Sequence, residues 1–459
     1  MNKQSWCTLR LGCVGVGLWI SVACLLAAPM DALAVPAYAR QTGQSCVACH
    51  AGGQFPELTA YGRAFKLGGY TYGSHTVPIS VMASGGFQSI SNTSSPNADS
   101  SMFPKNNSGV FQGFSLFLAG KITDHTGMFF QWAYDNYASQ NPSGTWSGEW
   151  VADNMDFRAA DRWLSGKTDL AYGLTLNNNP TVQDVWNSTP AFAFPYIGSD
   201  FMVEQTVGGT LLEGGLGQQA AGLGAYAYWN KTLYAEFSGY WTANGAWSFM
   251  SYGVPGDEQT HIKGYAPYWR VALTHEWGPH SAMIGTYGLL ADLYPDSLNP
   301  TGPTNHYRDI AFDAQYQYIL DPHTVTAQVN YINENIDWNS TGVANGDVSN
   351  PTDKVYSFRA KGTYFYRNKY GGSLQYFNLH GTTDPVLYGS ADPVTGNLMG
   401  SPNTRGWVAE LDWMPIQYVR LGVQYWWYDT FNGSGSNYDG NGRSAGNNNT
   451  LFVYLWGAI

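Results

Sequence analysis

From Pro78 onward the chain repeats one unit: two alternating stretches of about ten residues flank a short turn, and a long polar loop follows. Short turns read off at 123–127, 163–167, 229–232, 277–280, 321–323, 367–371 and 414–417, where Asp, Asn, Gly and Pro supply the turn chemistry. In the stretches Val325, Ala327, Val329 and Tyr331 interleave with Thr324, Thr326, Gln328 and Asn330. Tyr356, Phe358 and Ala360 likewise interleave with Ser357, Arg359 and Lys361. A strand with one wholly apolar face and a second face bearing Arg, Lys, Gln and Thr suits a sheet with lipid on one side and a wet lumen on the other. The spacing predicts about sixteen strands between residues 78 and 459, closed into an antiparallel barrel. They fall near 78–90, 110–122, 127–136, 154–163, 168–176, 219–229, 232–242, 268–276, 281–292, 307–320, 323–336, 355–366, 371–381, 404–414, 417–428 and 449–459.

Composition agrees. Charged residues make up 12% of the 459, aromatics 15%, with 18 Trp and 32 Tyr, which excludes a disordered chain and the charged surface of a cytosolic enzyme. A soluble secreted β-sandwich shares the period, but not the regular short-turn, long-loop asymmetry or the aromatics near strand ends. The formal net charge of −11 argues against nucleic acid as a partner. Lys3, Arg10, the apolar run 11–28 and Ala32-Leu33-Ala34 form a secretory leader, residues 1–34, with the mature chain starting at Val35. Short turns and both mature termini are then expected on the periplasmic side of an outer membrane.

Three of five cysteines leave with the leader. The other two stand in Cys46-Val47-Ala48-Cys49-His50, the attachment sequence for one covalent haem c. The two thiols add to the vinyl groups, and His50 becomes the proximal iron ligand. A redox dithiol has no use for the His and normally sits in a βαβ setting, and a zinc site lacks further Cys ligands. Residues 35–77 thus read as a monohaem cytochrome segment ahead of the barrel. For the sixth iron position the candidates are Met82, an apolar side chain in the polar column Ser80-Met82-Ser84, and then His75; Met102 is also near in sequence. Arg63 and Lys66 are candidates to pair with haem propionates, or else solvated charges on a short helix.

The long loops are acidic and raise the local concentration of cations at the outer mouth. Residues 177–218 differ: Pro190-Ala191-Phe192-Ala193-Phe194-Pro195-Tyr196 is too apolar for a free loop. The expectation is a segment folded into the barrel, constricting it or covering the haem.

Ala39-Arg40-Gln41-Thr42-Gly43, Cys46-Val47-Ala48-Cys49-His50, Pro56-Glu57-Leu58-Thr59 and Gly62-Arg63-Ala64-Phe65-Lys66-Leu67-Gly68-Gly69-Tyr70 resemble the fused outer-membrane cytochrome–porins. That family includes the Fe(II)-oxidising outer-membrane cytochrome of iron-oxidising bacteria. The match lies within Pro36 to Met82, and the remainder is similar by architecture. The resemblance implies a monohaem segment plugging or capping a sixteen-strand porin, with Cys46 and Cys49 binding haem and His50 on the iron. It implies Fe(II) as donor at the cell surface and a periplasmic c-type cytochrome as acceptor. A haem-gated transport porin, or a conduit for another donor, is the alternative.

Overall fold

The computed structural model describes residues 36–459 apart from 54, 95–96, 193–194 and 253–258; the expected leader lies outside the described residues. Sixteen antiparallel strands form one closed barrel in which every neighbour in space is a neighbour in sequence, and β1 closes on β16. The strands are β1 (Ile79–Ile90), β2 (Ser108–Lys121), β3 (Thr126–Gln140), β4 (Trp146–Ser165), β5 (Thr168–Asn177), β6 (Ala220–Trp229), β7 (Leu233–Thr242) and β8 (Ala266–Trp277), continuing with β9 (His280–Leu293), β10 (Asn305–Leu320), β11 (His323–Asp337), β12 (Thr352–Tyr366), β13 (Tyr370–Gly381), β14 (Thr404–Ile416), β15 (Val419–Thr430) and β16 (Thr450–Ala458). All seven expected short turns join strand pairs at one end, and the start of β1 and end of β16 lie at that same end, with Met82 opposite Ala458.

The alternation sorts as the sequence requires. On β11 Thr324, Thr326, Gln328 and Asn330 are buried in the lumen, while Val329 is exposed outside. Leu411, Ile284, Phe237, Phe312 and Leu174 are all more than half exposed on the outer wall, a burden in water and a requirement in lipid. Trp163, Trp229, Trp277, Trp413 and Tyr370 ring the short-turn end, where amphipathic rings favour a membrane interface.

One connection departs from the expected long loop. β3 and β4 run on to a tight turn at Asn141–Thr145, where Asn141 Oδ1 accepts from the backbone N–H of Ser143 and Thr145. Tyr137 and Trp146 on this ribbon pack edge-to-face around Phe201, at 4.7 and 5.6 Å between ring centroids. The extension has an apolar partner, which a strand-pair count alone does not see.

Two irregular segments fill the lumen. The first is the N-terminal segment, with α1 (Pro36–Thr42), α2 (Cys46–Cys49) and α3 (Ala60–Leu67). Gln41 fastens it: its amide donates to Tyr70 O and Tyr72 O, and its Oε1 accepts from Lys121 N at the end of β2. The second is 178–219, between β5 and β6, which enters the barrel as expected; Phe194 and Ala193 lie outside the described residues. Irregular backbone exposes unpaired N–H and C=O groups, and the lumen wall supplies their partners. Arg158 on β4 donates to Gln183 O and Lys66 O. Gln315 and Asn330 donate to Trp186 O and Ser188 O. Glu334 and Asp309 accept from Leu211 N and Leu212 N.

Candidate functional site: an apolar cleft beneath the inward segment

Thr59 organises the Cys-x-x-Cys-His turn. Its hydroxyl accepts from Gly62 N as the cap of α3 and donates to Ala48 O, while its N–H donates to Cys49 O at 2.9 Å. Helix α3 lies so close to the turn that a Cβ on Gly62 would stand 2.2 Å from Cys49 O. Cys46 Sγ meets Gln417 O at 3.0 Å in the β14–β15 turn, which seats the segment on the barrel rim. Glu57 is buried beside Lys361 of β12, Nζ to Oε1 2.8 Å. Burial pushes the Glu57 carboxyl up, but the Lys361 ammonium more than offsets it and holds the group below its usual range.

Cys46, Cys49 and His50 line one cleft together with Tyr38, Phe65, Leu58 and Phe129, and with Val182, Asn187 and Phe192 from the inward segment. The cleft is narrow, about 100 Å³, and its width is set by packed side chains, among them Phe55 edge-to-face against Phe192 (5.2 Å) and Tyr196 (4.5 Å). Phe55 also meets the His50 ring edge-to-face at 5.8 Å. Burial pushes the Cys46 thiol up to about 12 and the Cys49 thiol to about 11, so neither is a thiolate near neutral pH. A redox dithiol needs the opposite shift. Burial pushes His50 down to about 4, which keeps the imidazole neutral, and its Nδ1 is buried with no hydrogen-bond partner. Neutral imidazole is the state that ligates a metal.

This donor set fits a covalent haem c: two thiols three residues apart, an imidazole next to them, and an apolar, aromatic wall. Among the described residues no group of three His, Cys, Asp or Glu side chains is placed to hold a bare metal ion, so the zinc alternative has no ligand set there.

The other expected residues scatter. Met82 faces the lumen but packs beside Phe117 and Phe452 and lines the neighbouring cavity, not the cleft of His50. His75 is exposed at the short-turn rim, with Nε2 3.0 Å from Ile122 O. Arg63 turns to the barrel wall, donating to Glu276 (2.8 Å), Gln317 (2.8 Å) and Ser281 (2.9 Å). Lys66 does line the cleft, yet its ammonium is held by Val182 O (2.7 Å), Asp184 O (2.6 Å) and Asn187 Oδ1 (3.1 Å), with Phe192 4.7 Å away. Neither charge is solvated: both side chains are buried. Burial, then the Arg158 charge, push the Lys66 amine down to about 7 against the pull of Asp156 and Asp184. Asn187 completes the join by donating to Pro56 O at 2.7 Å. The sequence reading missed this clamp, because it links a helix to a loop more than a hundred residues away.

No family model matches the chain, and no curated protein matches it. Solved structures match at the level of architecture. The outer membrane channel DcaP of Acinetobacter baumannii aligns at 12% identity and TM-score 0.45, covering 83% of this chain and 96% of that one. An anion-selective porin from Comamonas acidovorans aligns at 11% and 0.44, covering 84% and 99%. OmpF of Salmonella typhi, in complex with daunomycin, aligns at 10% and 0.42, covering 83% and 97%. These are modest likenesses, and the barrel stands on its own strand order.

Proposed function

We propose that this chain is an outer-membrane barrel carrying one covalent haem c, and that it takes up electrons at the cell surface by oxidising Fe(II) and passes them to a periplasmic c-type cytochrome. The observation that carries the reading is the convergence of Cys46, Cys49 and His50, whose Nδ1 has no hydrogen-bond partner, on one apolar cleft inside the barrel. Export, an oxidising compartment and a Cys-x-x-Cys-His turn belong together in c-type maturation. The apolar outer wall and aromatic ring place the strands in lipid. When bound, the haem supplies a one-electron couple whose potential follows ligation and burial.

The chain's residues do the rest. Cys46 and Cys49 hold the group by thioethers, and His50 offers its ring nitrogen to the iron. Phe55, Phe65, Phe129 and Phe192 keep water from the cleft. Lys66 and Asn187 hold the inward segment against it. The two irregular segments fill the lumen where a transport porin keeps an open channel, which favours electron passage over solute flux.

The test is anaerobic mixing of the oxidised protein in detergent with Fe(II), followed in the visible spectrum. Reduction by Fe(II) supports the reading. Reduction by dithionite but not by Fe(II) means a different donor or a gate. A pyridine haemochrome spectrum without c-type bands removes the covalent haem c.

A further inference from the structure

At the long-loop end of the outer wall, β1, β2 and β4 carry Phe87, Phe111 and Trp150, all exposed. Strands β10, β12 and β14 carry cations there instead. Arg308, Lys354 and Arg405 are exposed, and each stands next to a buried lumen residue, Asp309, Asp353 and Thr404, so all three point outward. Asn335 on β11 lies opposite Arg308 on one side and Lys354 on the other, which sets these two cations about 10 Å apart across two strand spacings. A groove of about 380 Å³ opens beside Arg308, with Tyr265, Leu290 and Asn335 also in its wall.

Their height on the barrel is fixed by the strands. Arg308, Lys354 and Arg405 lie twelve, twelve and eleven residues from Leu320, Tyr366 and Ile416, where their strands end at the short turns. At about 3.3 Å per residue and a tilt of about 45°, that is a rise of roughly 28 Å, against an apolar band of about 25 Å in barrels of this kind. The cations therefore stand just past the apolar band, level with the lipid headgroups on the long-loop side. Below them the wall offers Ile310 and Phe312, both exposed, and Tyr356 stacked on His380 at 4.9 Å. None of the three cations has an ion pair or a side-chain hydrogen bond among the described residues. Asp292 and Asp337 also line the groove, and Asp429 lies near the end of β15. Asp292 is held by His306 at 2.6 Å, and none of these acids is within ion-pair distance of the three cations. An exposed cation at a membrane boundary extends toward the headgroups and draws anionic ones.

We infer that the outer wall of β10–β12 binds an outer-leaflet lipid with a phosphate-bearing headgroup. Arg308 and Lys354 close on the phosphate from either side, and the Asn335 amide donates between them. Ile310, Phe312 and the groove beside Arg308 take the acyl chains. Arg405 continues the cationic rim toward β14. The long-loop end faces the outer leaflet in the orientation expected of the short turns. The inference concerns the barrel alone, and neither the haem nor the iron reading enters it.

Lipid A, an acylated disaccharide with two phosphates, is the probe. It is mixed with the full-length protein in detergent, and bound lipid is counted by native mass spectrometry. The wild type is expected to retain one lipid A. A cation at an anionic lipid surface is worth about fivefold in binding, so Arg308→Gln/Lys354→Gln is expected to bind about 25-fold more weakly. Either single variant, expected to lose about fivefold, serves if the double variant does not fold. Arg367→Gln/Lys369→Gln, at the short-turn end, is expected to bind as the wild type does. No lipid A on the wild type, equal affinity in the variants, or an equal loss in the short-turn control overturns the inference. Equal retention of diacylglycerol, which has acyl chains and no phosphate, also overturns it. So does displacement of lipid A by equimolar inorganic phosphate, which would make this a site for the free anion.

Discussion

Replacing Lys66 by Met removes the ammonium that joins α3 to the inward segment while keeping the length of the side chain. Three acceptors lose their donor: Val182 O, Asp184 O and Asn187 Oδ1, at 2.7, 2.6 and 3.1 Å. The two carbonyls belong to backbone inside the lumen, with little water to replace the ammonium. Each hydrogen bond to a charged group contributes roughly 1.5–3 kcal/mol. Relief of the buried charge offsets part of the sum, and taking one partner from a buried ionic cluster costs about 3–5 kcal/mol. At about 1.4 kcal/mol per tenfold, the open population of the segment rises roughly 100- to 4,000-fold. Hydrogen–deuterium exchange reads this without reference to any cofactor. The reporters are the amides of Asp184, Trp186 and Ser188, which donate to Thr181 O and to the Asp184 carboxylate. At pH 6 the amine, pushed down to about 7, is still charged in the wild type. Their exchange is expected to accelerate by that factor while β11 amides stay protected. Unchanged exchange at Asp184, Trp186 and Ser188 would mean that the lumen wall holds the segment unaided, and that the clamp is incidental.

Further outcomes follow from the same geometry. Cys46→Ala or His50→Ala is expected to abolish reduction by Fe(II) while the barrel still runs anomalously on unheated gels; loss of both together would make the plug a folding element. Gly62→Ala sets a Cβ 2.2 Å from Cys49 O, and the overpacking, about 1–3 kcal/mol, is expected to lower the temperature at which the Soret band of the covalent haem shifts on unfolding; an unchanged midpoint refutes so tight an approach. In the loop after β13, burial pushes Asp384 up, but the Ser349 hydroxyl and the N–H groups of Leu387, Asn350 and Ser349 more than offset it and hold the carboxyl at about 2. A depressed folded value stabilises the loop above the ordinary carboxylate range and ceases to do so as pH falls through about 2; pepsin should therefore spare 382–403 at pH 4, cut it at pH 2, and cut Asp384→Asn at both. Liposomes carrying the protein are expected not to swell in small sugars, and deletion of 180–195 to make them swell; swelling with the intact chain reverses the reading of a filled lumen.

The barrel was legible because its signal is local and repeated. An alternating strand such as Thr324–Tyr331 declares both faces at once, and Asp321-Pro322-His323 marks its turn. All sixteen strands lie where the alternation puts them, within a few residues apart from the β3–β4 ribbon, where the partner is Phe201, distant in sequence. The cleft was legible only in part. Cys46, Cys49 and His50 announce themselves by spacing, and the apolar run around Phe192 announces an inward segment. Which residues face His50 was not legible, since Phe129, Val182 and Asn187 reach the cleft from three separate elements. Met82 was selected by a sound local rule, an apolar residue in a polar column. That column faces the lumen as expected, but the rule does not specify which lumen cavity. Arg63 and Lys66 read as propionate partners or as solvated charges on a short helix, because a local reading of α3 does not show the barrel wall and the inward segment that close over both.

Filling a barrel with irregular backbone is costly unless each exposed N–H and C=O finds a partner, and here the partners are lumen side chains on the strands. Arg158, Glu334, Asn330 and Asp309 stand at fixed heights on a closed sheet, so the segments they hold acquire fixed positions too. The result is two compartments at set depth. One is apolar and lined by Cys46, Cys49 and His50. The other is lined by Asp135, Asp153, Asp200 and Glu204 and faces the long loops. A single layer, Phe55 and Tyr196, divides them. A packed aromatic layer blocks a hydrated ion. That separation, imposed by the sheet on chain segments with no regular structure of their own, is what distinguishes this barrel from an open channel.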